Sequence, residues 1–286
     1  MWPPRRCHSV QVSYPPSPYD PAAFEGTAPY YTVGRPSYSA HLCDTLTREL
    51  GLDGRGRLLD VGCGPGTLAL ELSPLFDEIV GLDPEPGMLD EARRAAAARG
   101  LDEARWVKGV AEDIDRLAVG PCRVVTFGQS FHRTDRLRVS DLVYDVLEPG
   151  GAIVLVCHTV EGRARPPDTG YPEIPHDEIE ALVQRYLGPR PADAAAERWE
   201  VTLSKSRFGG ATVVFAPGRP DLLRDVDSVV AGYFSMSWAA PRHFGDEARN
   251  FEGDLRMLLL DHAPEGVFWD WPGDTEIVYA TKPPAA

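Results

Sequence analysis

Asp60 closes an apolar run, and three glycines follow it at alternate positions, Gly62, Gly64 and Gly66, in LLDVGCGPGTLAL. A second acid, Asp83, closes the next apolar run, EIVGLD, twenty-three residues later. A carboxylate accepts hydrogen bonds and draws in an ammonium group, but it repels phosphate. Glycine removes the Cβ and lets the backbone come close to a ligand. The combination suits a ligand with an ammonium at one end and hydroxyls further along, lying across bare backbone. Asp83 is placed to accept from both hydroxyls of a ribose. Further on come VKGVAEDI, with Ala111 and Glu112, and TFGQSFHRTD, with Gln129, Ser130 and His132. A neutral imidazole near pH 7 is able to take the proton of an acceptor hydroxyl.

Elements of alternating type position these residues. RLLDVG, EIVGLD, ARWVKG, CRVVTFG and AIVLVCH read as short buried strands. TLALELSPL, PGMLDEARRAAAARG and DRLRVSDLVYDVLEPGG read as helices between them. This is the pattern of an α/β fold, a mostly parallel sheet with helices on both faces. Ligands of such sheets bind outside the carboxyl ends of the strands, where Asp60, Asp83 and His132 fall. A helix is expected from Ser39 to Leu50, capped by Ser39, with Leu42, Leu46 and Leu50 at four-residue spacing.

Residues 1–28, rich in Pro, Ser and Tyr, read as a flexible arm, and 29–55 as a helical segment. Residues 56–158 form the ligand-binding core, and 159–286 complete the sheet and add elements for an acceptor. RWEVTLSKSRFGGATVVFAP alternates by two across a Gly-Gly and is expected as a hairpin. DEIEALVQRYLG, LLRDVDSVVAGYFS and DEARNFEGDLRMLLLDHA are expected as helices, and TEIVYATK as a last strand. The aromatic-rich stretch with Tyr233, Phe234, Met236, Trp238 and Phe244 reads either as a cover for an organic acceptor or as core. His158 ends the fifth strand on the same rim, as a pocket residue or a structural one, and His176 reads as a helix start.

Forty-three acids against twenty-nine Lys and Arg give a formal charge of −14. That field repels nucleic-acid backbones, so a small molecule is the expected partner. The five cysteines, Cys7, Cys43, Cys63, Cys122 and Cys157, form no C-x-x-C pair and fit a reducing interior. No His, Asp or Glu cluster has metal-ligand spacing. The first residues lack the apolar segment of a signal peptide, and the run at AIVLVC is too short to cross a bilayer. A cytoplasmic protein with no membrane partner is expected; the oligomeric state stays open.

Two ribose-bearing cofactors compete for Asp83. The dinucleotide fingerprint needs a glycine where Thr67 stands, and Asp60 would repel its pyrophosphate. An NAD-dependent oxidoreductase is therefore the alternative, and a non-catalytic interaction protein with a blocked cleft is a third reading. LLDVGCGPGTLAL followed by GLDPEPGML resembles the nucleoside-binding core of class I S-adenosylmethionine-dependent methyltransferases of the small-molecule type.

The resemblance implies a Rossmann-like fold that binds S-adenosyl-L-methionine and releases S-adenosyl-L-homocysteine. It implies Asp60, Gly62, Cys63 and Gly64 at the methionine end, Asp83 on the ribose, and Pro84 and Met88 beside the adenine. Tyr30, Tyr31 and Arg35 resemble a segment that folds over the cofactor, with Arg35 on its carboxylate. Ala111 and Glu112 would meet the adenine edge, where relatives carry an acid in place of Val110. Gln129 and Ser130 would line the cofactor, and His132 would be the base; Arg133 stands where relatives have Trp. The implied reaction is in-line methyl transfer to a small organic acceptor, with oxygen the first choice of atom.

Overall fold

A computed structural model of the chain describes residues 20, 22–158, 170–189, 197–270 and 273–285. Two helices come first, α1 (Ala28–Gly34) and α2 (Leu42–Leu50). The alternation follows as β1 (Arg57–Val61), α3 (Thr67–Leu72), β2 (Glu78–Asp83), α4 (Pro86–Ala97), β3 (Arg105–Lys108), β4 (Cys122–Gly128), α5 (Arg136–Val146) and β5 (Leu147–His158). Beyond it lie α6 (His176–Leu187), α7 (Trp199–Lys205), β6 (Thr212–Ala216), β7 (Leu223–Asp225), α8 (Val226–Phe234), α9 (Pro241–Phe244), α10 (Ala248–His262), β8 (Val267–Trp269) and β9 (Thr275–Thr281).

One sheet has the order β3-β2-β1-β4-β5-β9-β6, and β7 pairs with β8 in a second. Strands β1 to β5 are parallel, while β9 runs antiparallel between β5 and β6. Chain order reverses between β1 and β4, so a crevice opens at their carboxyl ends. Leu59, Val125 and Ile153 bury on one face with Val139 and Val143 of α5 and Leu203 of α7. Leu58, Val124 and Val154 bury on the other with Leu42 and Leu46 of α2 and Leu68 and Leu72 of α3. Burial on both faces is why these strands are apolar without a break. The same parity puts Asp60 on the face of Leu58, in register beside Thr126.

A third cluster belongs to the added helices. Ile179 and Leu182 of α6, Val230 and Phe234 of α8, and Phe251, Leu255 and Leu259 of α10 are buried together. The Phe244 and Phe251 rings stack with centroids 4.1 Å apart. Phe234 and Phe244 of the aromatic-rich stretch are thus core of this unit. His176 opens α6, and its Nδ1 lies 3.0 Å from the Tyr233 hydroxyl.

Three local expectations are corrected. The expected hairpin is a helix followed by a strand, because Trp199, Thr202 and Leu203 bury at helical spacing before the Gly-Gly. Ser39 does not cap α2, which begins at Leu42; its hydroxyl accepts from His41 N and donates to Pro217 O. Strand β5 starts at Leu147, in residues expected to end a helix, through an irregular pairing near Cys122.

Helix α1 crosses α8 backbone to backbone. A Cβ on Gly34 would fall 2.3 Å from Ala231 C and Gly232 N. Arg224 closes the crossing by donating to Gly34 O (2.7 Å), while pairing with Asp270 at 3.2 Å. Gly34→Ala should therefore push α1 off α8 and destabilise the chain by about 1–3 kcal/mol, the usual cost of overpacking. Urea unfolding measures it; an unshifted midpoint would mean that this crossing yields freely.

Candidate active site

A cavity of about 760 Å3, continuous with solvent, opens where β1, β2 and β4 end. Ten of the residues expected from the sequence line it: Tyr31, Gly62, Gly64, Asp83, Pro84, Met88, Ala111, Glu112, Gln129 and Ser130. Arg35, Asp60, Cys63 and His132 are not part of its lining.

Asp83 sits at the last position of β2 and is 8% exposed. Its Oδ2 accepts from Gly64 N (2.8 Å) and its Oδ1 from Glu85 N (2.9 Å). Burial pushes its pKa up to about 6, against the pull of those two N–H groups. A carboxylate oxygen has more than one acceptor site, so both can still receive a ligand hydroxyl. Glu85 caps α4 by accepting from Met88 N, which sets the Met88 side chain beside Gly64.

The three glycines have different reasons. Gly64 has φ +54, and a Cβ there would meet only Met88 Sδ at 4.0 Å, so its face stays open to the cavity. A Cβ on Gly62 would strike Ser130 Cβ at 2.5 Å, and one on Gly66 the Trp106 ring at 2.7 Å. Only the middle glycine clears room for a ligand; its neighbours make way for the protein's own side chains.

Asp60 lies behind the loop, 1% exposed, on the α3 face of the sheet. Thr126 Oγ1 donates to its Oδ1 at 2.7 Å, while its Oδ2 is buried without a hydrogen-bond partner. Burial pushes its pKa up to about 7, against the pull of the Thr126 hydroxyl and of the Ala69 backbone N–H in α3. Cys63 is turned inward, 2.8 Å from where a Gly81 Cβ would be. Its N–H and that of Gly62 both go to Leu82 O.

Arg35 docks the segment after α1 instead of facing the cavity. Its Nη2 donates to Ser235 O (3.3 Å), its guanidinium lies 5.2 Å from the Tyr31 ring centre, and its Nε is buried without a partner. Glu112 lines the cavity but accepts from Asp135 N (2.9 Å), tying it to the start of α5.

His132 stands in a tight turn, Phe131–Arg133. Burial, then the Arg133 and Arg136 charges, push its pKa down to about 3. An imidazole so weakly basic takes up a hydroxyl proton poorly at neutral pH. His132 lies outside the cavity lining, although its neighbours Ser130, Arg133 and Thr134 are part of it.

The cavity also includes residues that the sequence reading passed over. Asp20, Ala23 and Phe24 come from the expected arm, whose first nineteen residues lie outside the described ones. The Arg133 guanidinium lies 4.5 Å from the Phe24 ring centre, and its Nη2 donates to Ser237 Oγ (2.8 Å). Asp20 pairs with Arg242 at 3.4 Å. Nothing local in a Pro- and Ser-rich stretch signals a partner more than a hundred positions away. Arg133 carried a signal, its departure from the Trp of the resembled pattern.

The fold and this lining define a nucleoside-binding α/β domain. An acid at the end of β2, an open glycine beside it and an orphan buried carboxylate oxygen fit a ribose with an ammonium-bearing tail. Residues 58–151 match a family model described as a methyltransferase domain. An uncharacterized methyltransferase of Mycobacterium bovis is 35% identical over 133 residues, 46% of this chain and 51% of that protein. A probable S-adenosylmethionine-dependent methyltransferase of Saccharomyces cerevisiae is 28% identical over 123 residues, 43% of this chain and 42% of that one. The chain spans about half the length of these curated relatives. A methyltransferase of Geobacter sulfurreducens, solved with S-adenosyl-L-homocysteine, shares the fold with a TM-score of 0.50 at 16% identity, covering 96% of this chain and all of that one. These likenesses support a methyltransferase domain of the class I S-adenosylmethionine-dependent kind over residues 58–151, with S-adenosyl-L-methionine as its cofactor.

Proposed function

We propose that the whole chain transfers a methyl group from S-adenosylmethionine to a small organic acceptor, with oxygen the favoured atom. The observation that carries the reading is Asp83, held at the cavity by two backbone N–H groups beside the open face of Gly64. When bound, the cofactor supplies an electrophilic methyl on a sulfonium. Asp83 would hold the ribose hydroxyls, with Pro84, Met88 and Ala111 as the less polar surroundings of the base. Tyr31 and Phe24 would exclude water over them. Asp60 would act on the ammonium end from behind the loop through its orphan oxygen. With His132 held neutral and weakly basic, an acceptor oxygen that is already ionised at neutral pH suits the site best.

The charge of −14 supports a small molecule over a nucleic acid. No helix among the described residues is long and apolar enough to cross a membrane, and the four described cysteines are unbridged, which supports a cytoplasmic setting. The open cavity argues against a non-catalytic protein with a sealed cleft. Calorimetric titration with S-adenosylhomocysteine and with NADH tests the reading. Saturable binding of the first alone is expected; binding of NADH alone would overturn it.

A further inference from the structure

Arg133 is the only cation among the described residues that line the cavity, against four acids, Asp20, Asp83, Glu85 and Glu112. Each acid has a protein partner. Asp83 accepts from Gly64 N and Glu85 N, Glu85 from Met88 N, and Glu112 from Asp135 N, while Asp20 pairs with Arg242. Arg133 follows β4, and β1 separates that strand from the one that carries Asp83. Elements outside the strand alternation hold its side chain. The guanidinium lies 4.5 Å from the Phe24 ring centre, and Phe24 in turn meets Tyr31 edge-on, with centroids 6.3 Å apart. Its Nη2 donates to Ser237 Oγ at 2.8 Å.

Ser237 lies in the connection from α8 to α9, and Arg242 in α9. Phe234 and Phe244, which flank them in sequence, are core of the added helical unit. That unit therefore reaches two lining residues, Arg133 and Asp20, through polar side chains. A guanidinium carries five N–H donors in one plane, so it can serve Ser237 and a ligand together. The planar fork matches a carboxylate in a two-point pairing. It matches a phosphate as well, but a dianion meets about twice the repulsion from the four acids that a carboxylate meets. One positive side chain in an acidic lining thus selects a monoanion.

We propose that Arg133 sets acceptor specificity: steadied by the Phe24 ring and the Ser237 hydroxyl, its guanidinium anchors a carboxylate carried by the small-molecule acceptor. The inference rests on the methyl-transfer reading above.

The test is ligand-observed NMR on the full chain saturated with S-adenosylhomocysteine. Benzoate, cinnamate and butyrate are the probes, and their primary amides are the neutral counterparts. At least one carboxylate should bind saturably, about tenfold or more tighter than its amide. Arg133→Gln removes the charge and should shrink that preference to within about twofold. The preference is a ratio, so a general loosening of the cavity, which weakens both members of a pair, does not imitate its loss. Should Arg133→Gln fail to fold, Arg133→Lys keeps the charge without the planar fork, and the preference should fall by about threefold or more. An unchanged preference in the folded variant overturns the proposal. Amides that bind the wild-type chain as tightly as the carboxylates overturn it, and so does a wild-type chain that binds none of the three carboxylates. Tighter binding of phenyl phosphate than of benzoate overturns it too, because the site would then favour a dianion. A wild-type chain that binds no S-adenosylhomocysteine overturns the cofactor reading and this inference together. Binding of S-adenosylhomocysteine without the carboxylate preference overturns the inference alone.

Discussion

Asp83→Ala should weaken S-adenosylhomocysteine binding by tenfold or more and lower the chain's own stability as well. Hydrogen bonds to a charged acceptor are worth roughly 1.5–3 kcal/mol each, and a ribose offers two hydroxyl donors. Losing one gives about tenfold in affinity, and losing both gives about a hundredfold or more. The stability loss has a separate origin. Gly64 N and Glu85 N both lose their acceptor, and an unsatisfied N–H costs about 1–3 kcal/mol where water cannot replace the partner. Calorimetric titration and urea unfolding on the same preparation separate the two effects. A folded variant with wild-type affinity would remove the ribose assignment, even with its unfolding midpoint lowered.

The effect on stability also bears on what a sequence can disclose. Asp83 was legible because an acid ending an apolar strand, a fixed interval after a glycine loop, has a local pattern. Gly66 was not, because its reason is the Trp106 ring forty residues on, across β2. Asp60 was half legible. Its residue type pointed to a polar site, but parity along β1 decides where it faces, and that sends it beneath α3 with Thr126 instead of to the cavity. The strands β1, β2, β4 and β5 read true because burial on both faces leaves short apolar runs, while β3, with Trp106 and Val107 only half-buried, read true from its place in the alternation. Helix α7 was misread because Trp199, Thr202 and Leu203 give one helical turn of signal, too short to outweigh a Gly-Gly. Phe24 over Arg133 and Gly34 against α8 are contacts between distant segments. Their evidence is the complementarity of two surfaces, which no single stretch contains.

Asp60→Asn should change how stability depends on pH, with the largest difference from wild type above pH 7. An unfolded aspartate titrates near its ordinary value, about 3.9, while burial raises this one to about 7 in the fold. Between those values the folded chain holds a proton that the unfolded chain has released. Stability from this group is therefore full below pH 4, falls as pH rises through the window, and levels off above 7. Three units correspond to about 4 kcal/mol, which is an upper bound for the slope removed by the amide. Asp83, raised to about 6 by burial, contributes with the same sign and remains in the variant. The difference between the two unfolding curves, taken at pH 4 and pH 8, isolates Asp60 from it. The same carboxyl gives a binding signature. An ammonium acting on the orphan Oδ2 favours the charged form. S-adenosylhomocysteine should then release a proton from the wild-type chain near pH 7, seen as a buffer-dependent heat of binding, and the release should vanish in Asp60→Asn. Equal buffer dependence in both proteins would confine Asp60 to holding α3 and β4 together, and leave the ammonium to other groups.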